Sequence, residues 1–295
     1  MRILRTASNL NQAVRRARAG GARIGFVPTM GYLHDGHLAL VRAAREECDL
    51  VVASIFVNPL QFAAGEDLAK YPRDLPRDHR LLRKADVDLL FEPENFYPEG
   101  FATRVSVERL GERLCGRYRP GHFVGVSTVV TKLLAAAEPD RLYLGRKDYQ
   151  QAMILTRMVA DLNLPVRVVI CPTVREADGL AMSSRNVYLT PEERAWAPNF
   201  YRALRATALL IESGEVRGAG EATAEVERRL LGSPMRLQYA EALTADDLAP
   251  IDPLTGDLVL AAAVFLGKAR LIDNVAVRAP RPPRPGKKND RGRRV

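Results

Sequence analysis

The sequence predicts an α/β fold: a doubly wound parallel sheet, a second and smaller α+β domain, and a disordered basic C-terminal tail. Three observations carry this expectation. Apolar, β-branched segments alternate with helical stretches of roughly ten to fifteen residues as far as about residue 175, the pattern of parallel βαβ units. Beyond that point helices come first and short strands follow, with no alternation. Residues 278–295 then hold eight basic side chains and one acid among prolines and glycines, a composition that cannot bury a core.

The elements follow in order. Leu4, Leu10, Val14 and Ala17 follow a helical spacing, with a helix near 8–19. The Arg-rich start, without an acid before Asp35, also fits a transit peptide. The amphipathic spacing and the strand directly after it favour the first helix of the fold instead. That strand spans 23–27, and a helix runs from about 36 to 47. Residues 50–57 are apolar and β-branched, as in a strand covered on both faces. A helix near 74–85 leads to a strand in VDLLFEP at 87–93. A helix at 125–137, a strand near 141–144, a helix at 148–162 and a strand at 165–170 complete a Rossmann-like sheet. Such sheets bind ligands at the carboxyl ends of their strands. Thr190 and Pro191 open a long helix over 191–212, as N-cap and first-turn residues. A further helix to about 231 and strands near 236–243, 257–266 and 270–274 follow. The expected domains are 1–177, 178–277 and the tail 278–295.

Bulk composition narrows the function classes. The tail carries a net +7 of the chain's formal +9, leaving +2 on residues 1–277. A general nucleic-acid surface on the folded part is therefore not expected, and the tail reads as solvated, with loose contact to RNA or acidic surfaces as the alternative. The longest apolar run, LVLAAAVFLG at 258–267, is too short to cross a bilayer and reads as a buried strand. Cys48, Cys115 and Cys171 are odd in number and form no C-x-x-C pattern, which points to a reducing, cytoplasmic setting. Cys48 and Cys171 read as buried fillers.

Four segments could carry chemistry. In VPTMGYLHDGH, at 27–37, His34 and His37 flank Asp35 and Gly36 where a strand hands over to a helix. Free backbone N–H groups and the helix dipole favour an anion there. The i, i+3 spacing with no third ligand makes a metal site the weaker reading. In VNPLQF, Asn58 and Gln61 follow a strand, where amides suit a substrate bearing hydroxyls and a carboxylate. In LGRKDYQQ, at 144–151, Lys147 suits phosphate and Asp148 a ribose hydroxyl or a helix cap, with Gln151 one turn on. In DGLAMSSRN, at 178–186, Ser183, Ser184 and Arg185 form a candidate phosphate clamp in a loop between the domains. His122 with Val126, Val129, Val130 and Leu133 is expected along an apolar wall, and His79 is expected in solvent.

Taken in order, VPTMGYLHDGH, SIFVNPLQF, RPGHFVGVSTVV, GRKDYQQ, DGLAMSSRN and ARLIDN resemble the pantothenate synthetase (pantoate–β-alanine ligase) family over about residues 1–277. HDGH is similar to the His-x-Gly-His signature of the adenylyl-transferring superfamily, and MSSR to the mobile Lys-Met-Ser-Lys-Ser loop of aminoacyl-tRNA synthetases. The resemblance implies that pantoate, ATP and β-alanine give pantothenate, AMP and pyrophosphate through pantoyl-adenylate. Mg²⁺ accompanies the ATP, and Asp78 is a weak candidate for its ligand. It implies His34 and His37 at the phosphates, with His37 a nominal acid, and Lys147 at the α-phosphate. Gly36 lies within the same nucleotide-binding signature. Ser183, Ser184 and Arg185 would hold the leaving pyrophosphate. Gly145 and Asp148 would face the ribose, Val174 and Met182 the adenine, and Gln61, Gln151 and Met30 the pantoate. The family is commonly a homodimer. One departure is Arg146, where the family usually has glutamate; it either tightens nucleotide binding or points to solvent. Another nucleotidyltransferase of the same superfamily, or nucleic-acid binding through the tail, are the alternatives.

Overall fold

A computed structural model describes residues 1–63 and 65–280. The chain runs β1 (Arg2–Leu4), α1 (Ala7–Ala19), β2 (Ile24–Thr29), α2 (Asp35–Glu47), β3 (Leu50–Ile55), α3 (Leu75–Lys84) and β4 (Leu89–Phe91). It continues through α4 (Cys115–Tyr118), α5 (His122–Ala137), β5 (Arg141–Gly145), α6 (Tyr149–Asp161) and β6 (Arg167–Cys171). The remainder holds α7 (Pro191–Trp196), α8 (Pro198–Ser213), α9 (Ala219–Leu230), β7 (Arg236–Thr244), β8 (Gly256–Leu266) and β9 (Ala269–Ala279).

The first six strands form one parallel sheet in the order β1-β4-β3-β2-β5-β6. Alternate side chains feed two cores, as the two-residue strand period requires. Phe26, Val52, Phe91 and Leu142 pack with α1, α5 and α6. Val27, Ala53, Leu90 and Tyr143 pack with α2 and α3 on the other side. Leu10 and Val14 of α1 are fully buried, as their helical spacing predicts; each such side chain contributes about 2 kcal/mol of transfer free energy.

The chain winds outward from β2 to β4 and then returns to place β5 on the other side of β2. The β2/β5 ladder covers only Gly25 with Arg141 and Phe26 with Leu142. Three residues of each strand continue past it, and Pro28, which has no N–H, lies in that stretch. The order reversal and the short ladder open a crevice at the carboxyl ends of β2 and β5.

The second sheet is antiparallel, β7-β8-β9. Its central strand β8 contains the apolar run noted above and is covered on both faces. Val259, Ala261 and Ala263 join the core of the large sheet, while Leu258, Leu260 and Val264 pack on α8 and α9.

Four sequence expectations change. Residues 2–4 form a strand paired with β4, too short to leave a periodic signal. The helix expected over 191–212 is two, because Pro198 lacks the N–H that would continue the first. Strand β9 runs to Ala279, so Arg278 and Ala279, assigned to the tail, are strand residues. His79 is not solvated: it is 18% exposed and lies 2.6 Å from Glu92. The expectation of a disordered tail otherwise concerns residues 281–295, outside those described. Among the described residues no helix is long and apolar enough to cross a membrane.

Candidate active site

The crevice widens into a cleft of about 610 Å³ between the two sheets. Every candidate side chain except Asp78 lines it: Met30, His34, Gly36 and His37 after β2; Asn58 and Gln61 after β3; Gly145, Lys147, Asp148 and Gln151 after β5; Val174 and Met182, then Ser183, Ser184 and Arg185, after β6. All four groups sit beyond the carboxyl ends of neighbouring strands, which is why segments so distant in sequence converge.

The three-residue spacing of the histidines has a structural cause. His34 is the N-cap of α2 and His37 its N3 residue, and together they form a capping box. His34 Nδ1 accepts from the Gly36 N–H at 3.2 Å, and His37 Nδ1 accepts from the His34 N–H at 3.4 Å. With both Nδ1 atoms accepting, each neutral ring carries its proton on Nε2. The rings lie with centroids 4.0 Å apart. Burial, reinforced by the Lys147 charge, pulls His34 down to about 4. Burial, His34 and Lys147 hold His37 well below the ordinary histidine range. Both imidazoles are therefore uncharged donors at neutral pH. Gly36 serves the box directly, since a Cβ there would meet the His34 ring at 2.8 Å.

Asp78 does not face the cleft. It is 1% exposed, and its two oxygens accept from the Tyr32 and Leu33 N–H groups at 2.7 and 2.8 Å. It holds the turn leading into His34 and is not among the residues lining the cleft. Among the described residues no three His, Cys, Asp or Glu side chains gather as a metal site.

Asn58 also differs from expectation. Its Nδ2 donates to Gln61 Oε1 and to the Gly125 carbonyl, while its Oδ1 accepts from Tyr97 Oη and the Leu60 N–H. Two donors and two lone pairs are all it has, and at 1% exposure it is a support for Gln61. Gln61 Nε2 in turn reaches Met30 Sδ at 3.0 Å. His122 lines the cleft beside the expected apolar residues, but its ring is held by polar partners. Its Nδ1–H donates to the Gln61 carbonyl at 2.8 Å, and its Nε2 accepts from Arg119 at 3.1 Å. Burial, then the Arg119 charge, draws His122 down to about 4. Val126, Val129, Val130 and Leu133 do line the cleft.

Sequence reasoning missed three charged residues. Arg119 binds Glu66 through two bonds of 2.7 and 2.6 Å and donates to the Gln61 carbonyl. Burial works to raise the Glu66 carboxyl, but Arg119 outweighs it and the net direction is down. Arg185 makes a similar fork to Asp67, at 2.9 and 3.1 Å. Arg119 lies within RPGHF, yet its partner is 53 residues away; Asp67 is 118 from Arg185. Arg146 is exposed and outside the cleft lining, so its charge points to solvent.

Triphosphate asks for donors that stay uncharged until it arrives and for cations set around it. Neutral imidazoles at a helix start, with Lys147 opposite, meet that need at the switch point of a doubly wound sheet. The architecture is that of an enzyme of nucleotidyl-transfer chemistry. A model of the Pantoate-beta-alanine ligase family matches residues 2–276, and the chain belongs to that family. It is 52% identical to a pantothenate synthetase of Moorella thermoacetica, over 94% of this chain and 99% of that protein. A pantothenate synthetase of Pseudomonas fluorescens is 51% identical over 93% of this chain and 97% of its own length. Among solved structures, a pantothenate synthetase of Thermus thermophilus superposes with a TM-score of 0.88 at 50% identity, covering 94% and 100% of the two chains. A Francisella tularensis pantoate-beta-alanine ligase, complexed with beta-gamma ATP and beta-alanine, gives 0.77 at 37% identity, over 93% and 97%.

Proposed function

We propose that this chain joins pantoate to β-alanine in two steps at the β2/β5 crevice. Pantoate's carboxylate oxygen attacks the α-phosphorus of ATP, a P–O bond forms, and pyrophosphate leaves with the electrons of the broken bond. The β-alanine amine then attacks the acyl carbon of pantoyl-adenylate, losing a proton, and AMP departs. The observation that carries this reading is one cleft holding two neutral imidazoles and Lys147 beside an amide pocket of Gln61 and Gln151.

In-line displacement asks for positioning and charge stabilisation more than a protein nucleophile. His34 and His37 donate N–H bonds to phosphate oxygens as charge builds; being neutral, they act as donors rather than proton sources. Lys147 offsets charge on the α-phosphate. Ser183, Ser184 and Arg185 receive pyrophosphate, for which Arg185 exchanges Asp67 for phosphate oxygens. Gly145 and Asp148 face the ribose, and Val174 and Met182 flank the adenine. Gln61 and Gln151 hold pantoate's carboxylate and hydroxyls against Met30. Mg²⁺ would accompany ATP and offset charge on its phosphates.

The relative complexed with beta-gamma ATP and beta-alanine supports the assignment of both ligands here. We read residues 1–177 as the substrate-binding domain and 178–279, extended to take in all of β9, as a smaller lid domain, with the expected homodimer testable by sedimentation velocity. Three unpaired cysteines suit a cytoplasmic setting. The decisive assay is pantoate-dependent isotope exchange between ATP and pyrophosphate, followed by AMP release on adding β-alanine. Exchange that proceeds equally without pantoate would refute the reading.

A further inference from the structure

Two adjacent residues of β9 bind the two halves of the nucleotide site to one strand. Successive side chains of a strand leave on opposite faces, and here each face meets a different segment. Asn274, 5% exposed, donates both Nδ2 hydrogens, one to the Arg146 carbonyl and one to the Lys147 carbonyl, each at 3.0 Å. It therefore fixes the Arg146–Asp148 turn by its backbone. Lysine is a point charge on a flexible four-carbon stem, so its aim depends on where that backbone stands.

Asp273, 4% exposed, grips the Arg175 guanidinium at 2.6 and 2.9 Å. Arg175 also donates to the Gly179 carbonyl and lies 3.6 Å over the Tyr201 ring. It belongs to a small hairpin over 174–182, in which Arg175 bridges Ala181 and the Met182 N–H donates to the Val174 carbonyl at 3.1 Å. Met182 leads directly into the Ser183 to Arg185 segment. The expected domain boundary, 177/178, falls within this hairpin.

We propose that Asp273 and Asn274 are positioning residues that set the separation between Lys147 and the 183–185 clamp. They act in the ATP-dependent half-reaction and not in attack by β-alanine. The inference rests on the ligase reading above but has a readout independent of it. Replacing Asn274 by leucine keeps size and strand packing while leaving two carbonyls without their donors. The Lys147 turn is then free to drift from the clamp, and displacements near 1 Å cost adenylation on the order of a hundredfold.

The test uses the full-length protein. Asn274→Leu should lower the maximal rate of ATP–pyrophosphate exchange between about tenfold and a hundredfold, with KM for pantoate within about twofold. Aminolysis of supplied pantoyl-adenylate should stay within about threefold, since no pyrophosphate is present for the 183–185 clamp to hold and the Lys147-to-clamp separation is not used in that step. Asn274→Gln, which keeps both donors, should recover part of the exchange. Arg278→Ala, further along β9 and exposed, should change none of these. Exchange and aminolysis falling together, or exchange unaltered, overturns the proposal. If Asn274→Leu does not fold, Asp273→Asn carries the same comparison from the hairpin side. Calorimetric titration with a non-hydrolysable ATP analogue separates this idea from the ligase reading. Wild-type protein that binds the analogue but shows no pantoate-dependent exchange refutes only the latter. Exchange in Asn274→Leu that returns to the wild-type maximal rate once ATP is saturating refutes the former, since the loss would then be one of binding and not of positioning.

Discussion

Gly36→Ala separates the chemistry of the imidazole pair from the stability of the helix that carries it. The new Cβ would stand 2.8 Å from both Cε1 and Nδ1 of His34. Relaxed contacts begin near 3.5 Å, so the ring must retreat by about 0.7 Å. The His34 Nδ1 bond to the residue-36 N–H, now 3.2 Å, would stretch to roughly 3.9 Å and be lost. Losing an N-cap costs about 1 kcal/mol. Alanine is better than glycine inside a helix by up to about 1 kcal/mol, so the two stability terms nearly cancel. A change of that residual size moves the thermal midpoint of so large a chain by no more than about 3 °C. The function has no such compensation. The His37 ring packs against His34 at a 4.0 Å centroid distance, so both Nε2 donors lose their aim together. Pantoate-dependent ATP–pyrophosphate exchange should fall about a hundredfold. Exchange within threefold of wild type would sink this account of the glycine. So would a midpoint drop of around 10 °C, which would make lost activity a matter of unfolding.

Four further outcomes follow from the same geometry. His34, His37 and His122 have depressed pKa values, so the unfolded chain binds protons that the folded chain refuses. Stability is then full above about pH 6.5 and declines as pH falls toward 4; denaturant titrations at several pH values should show this decline, and a flat response would refute the buried neutral state. Gln61→Ala should weaken pantoate binding at least about tenfold while leaving ATP-analogue affinity within twofold; equal loss of both would remove Gln61 from the acid pocket. In Gly125→Ala the Cβ would come within 2.6 Å of the Gln61 backbone N, forcing α5 off the Pro59–Gln61 turn and breaking the Asn58 bond. That should cost about 3 kcal/mol, and a midpoint change under 2 °C would contradict the close approach. Removing residues 281–295, rather than 279–295, spares β9 and should leave AMP formation unchanged; loss of activity would make the tail part of the enzyme.

The fold was legible because it rests on period, which a single sequence carries in full. Strands β2 to β5 announce themselves through apolar alternation with helices, and β8 through an unbroken apolar run that only a strand covered on both faces explains. Period fails where elements are too short to repeat, as in Arg2–Leu4, or where one proline divides a continuous pattern, as at Pro198. The site was legible to the extent that strand ends announce it, and for that reason four distant segments could be expected in one cleft. What sequence could not tell was which polar side chain reaches for a ligand and which holds another residue in place. Asn58 and Gln61 lie three positions apart in the same turn and carry the same functional group. The Gly125 carbonyl, Tyr97, Leu60 and Gln61 itself consume Asn58 entirely, whereas the Gln61 amide stays at the cleft lining. Asp78, the carboxylate proposed for a metal, instead holds backbone N–H groups away from the cleft, and Asp273 holds Arg175. Such assignments depend on partners distant in sequence, 128 residues apart for Asn274 and Arg146. Desolvation sharpens the division. A buried amide or carboxylate left without its partner costs about 1–3 kcal/mol or more, so inward polar groups are filled by the fold first and only the remainder face the substrate. A candidate list drawn from sequence therefore mixes groups that touch substrate with groups that aim them, and the hydrogen-bond inventory of the folded chain tells the two apart.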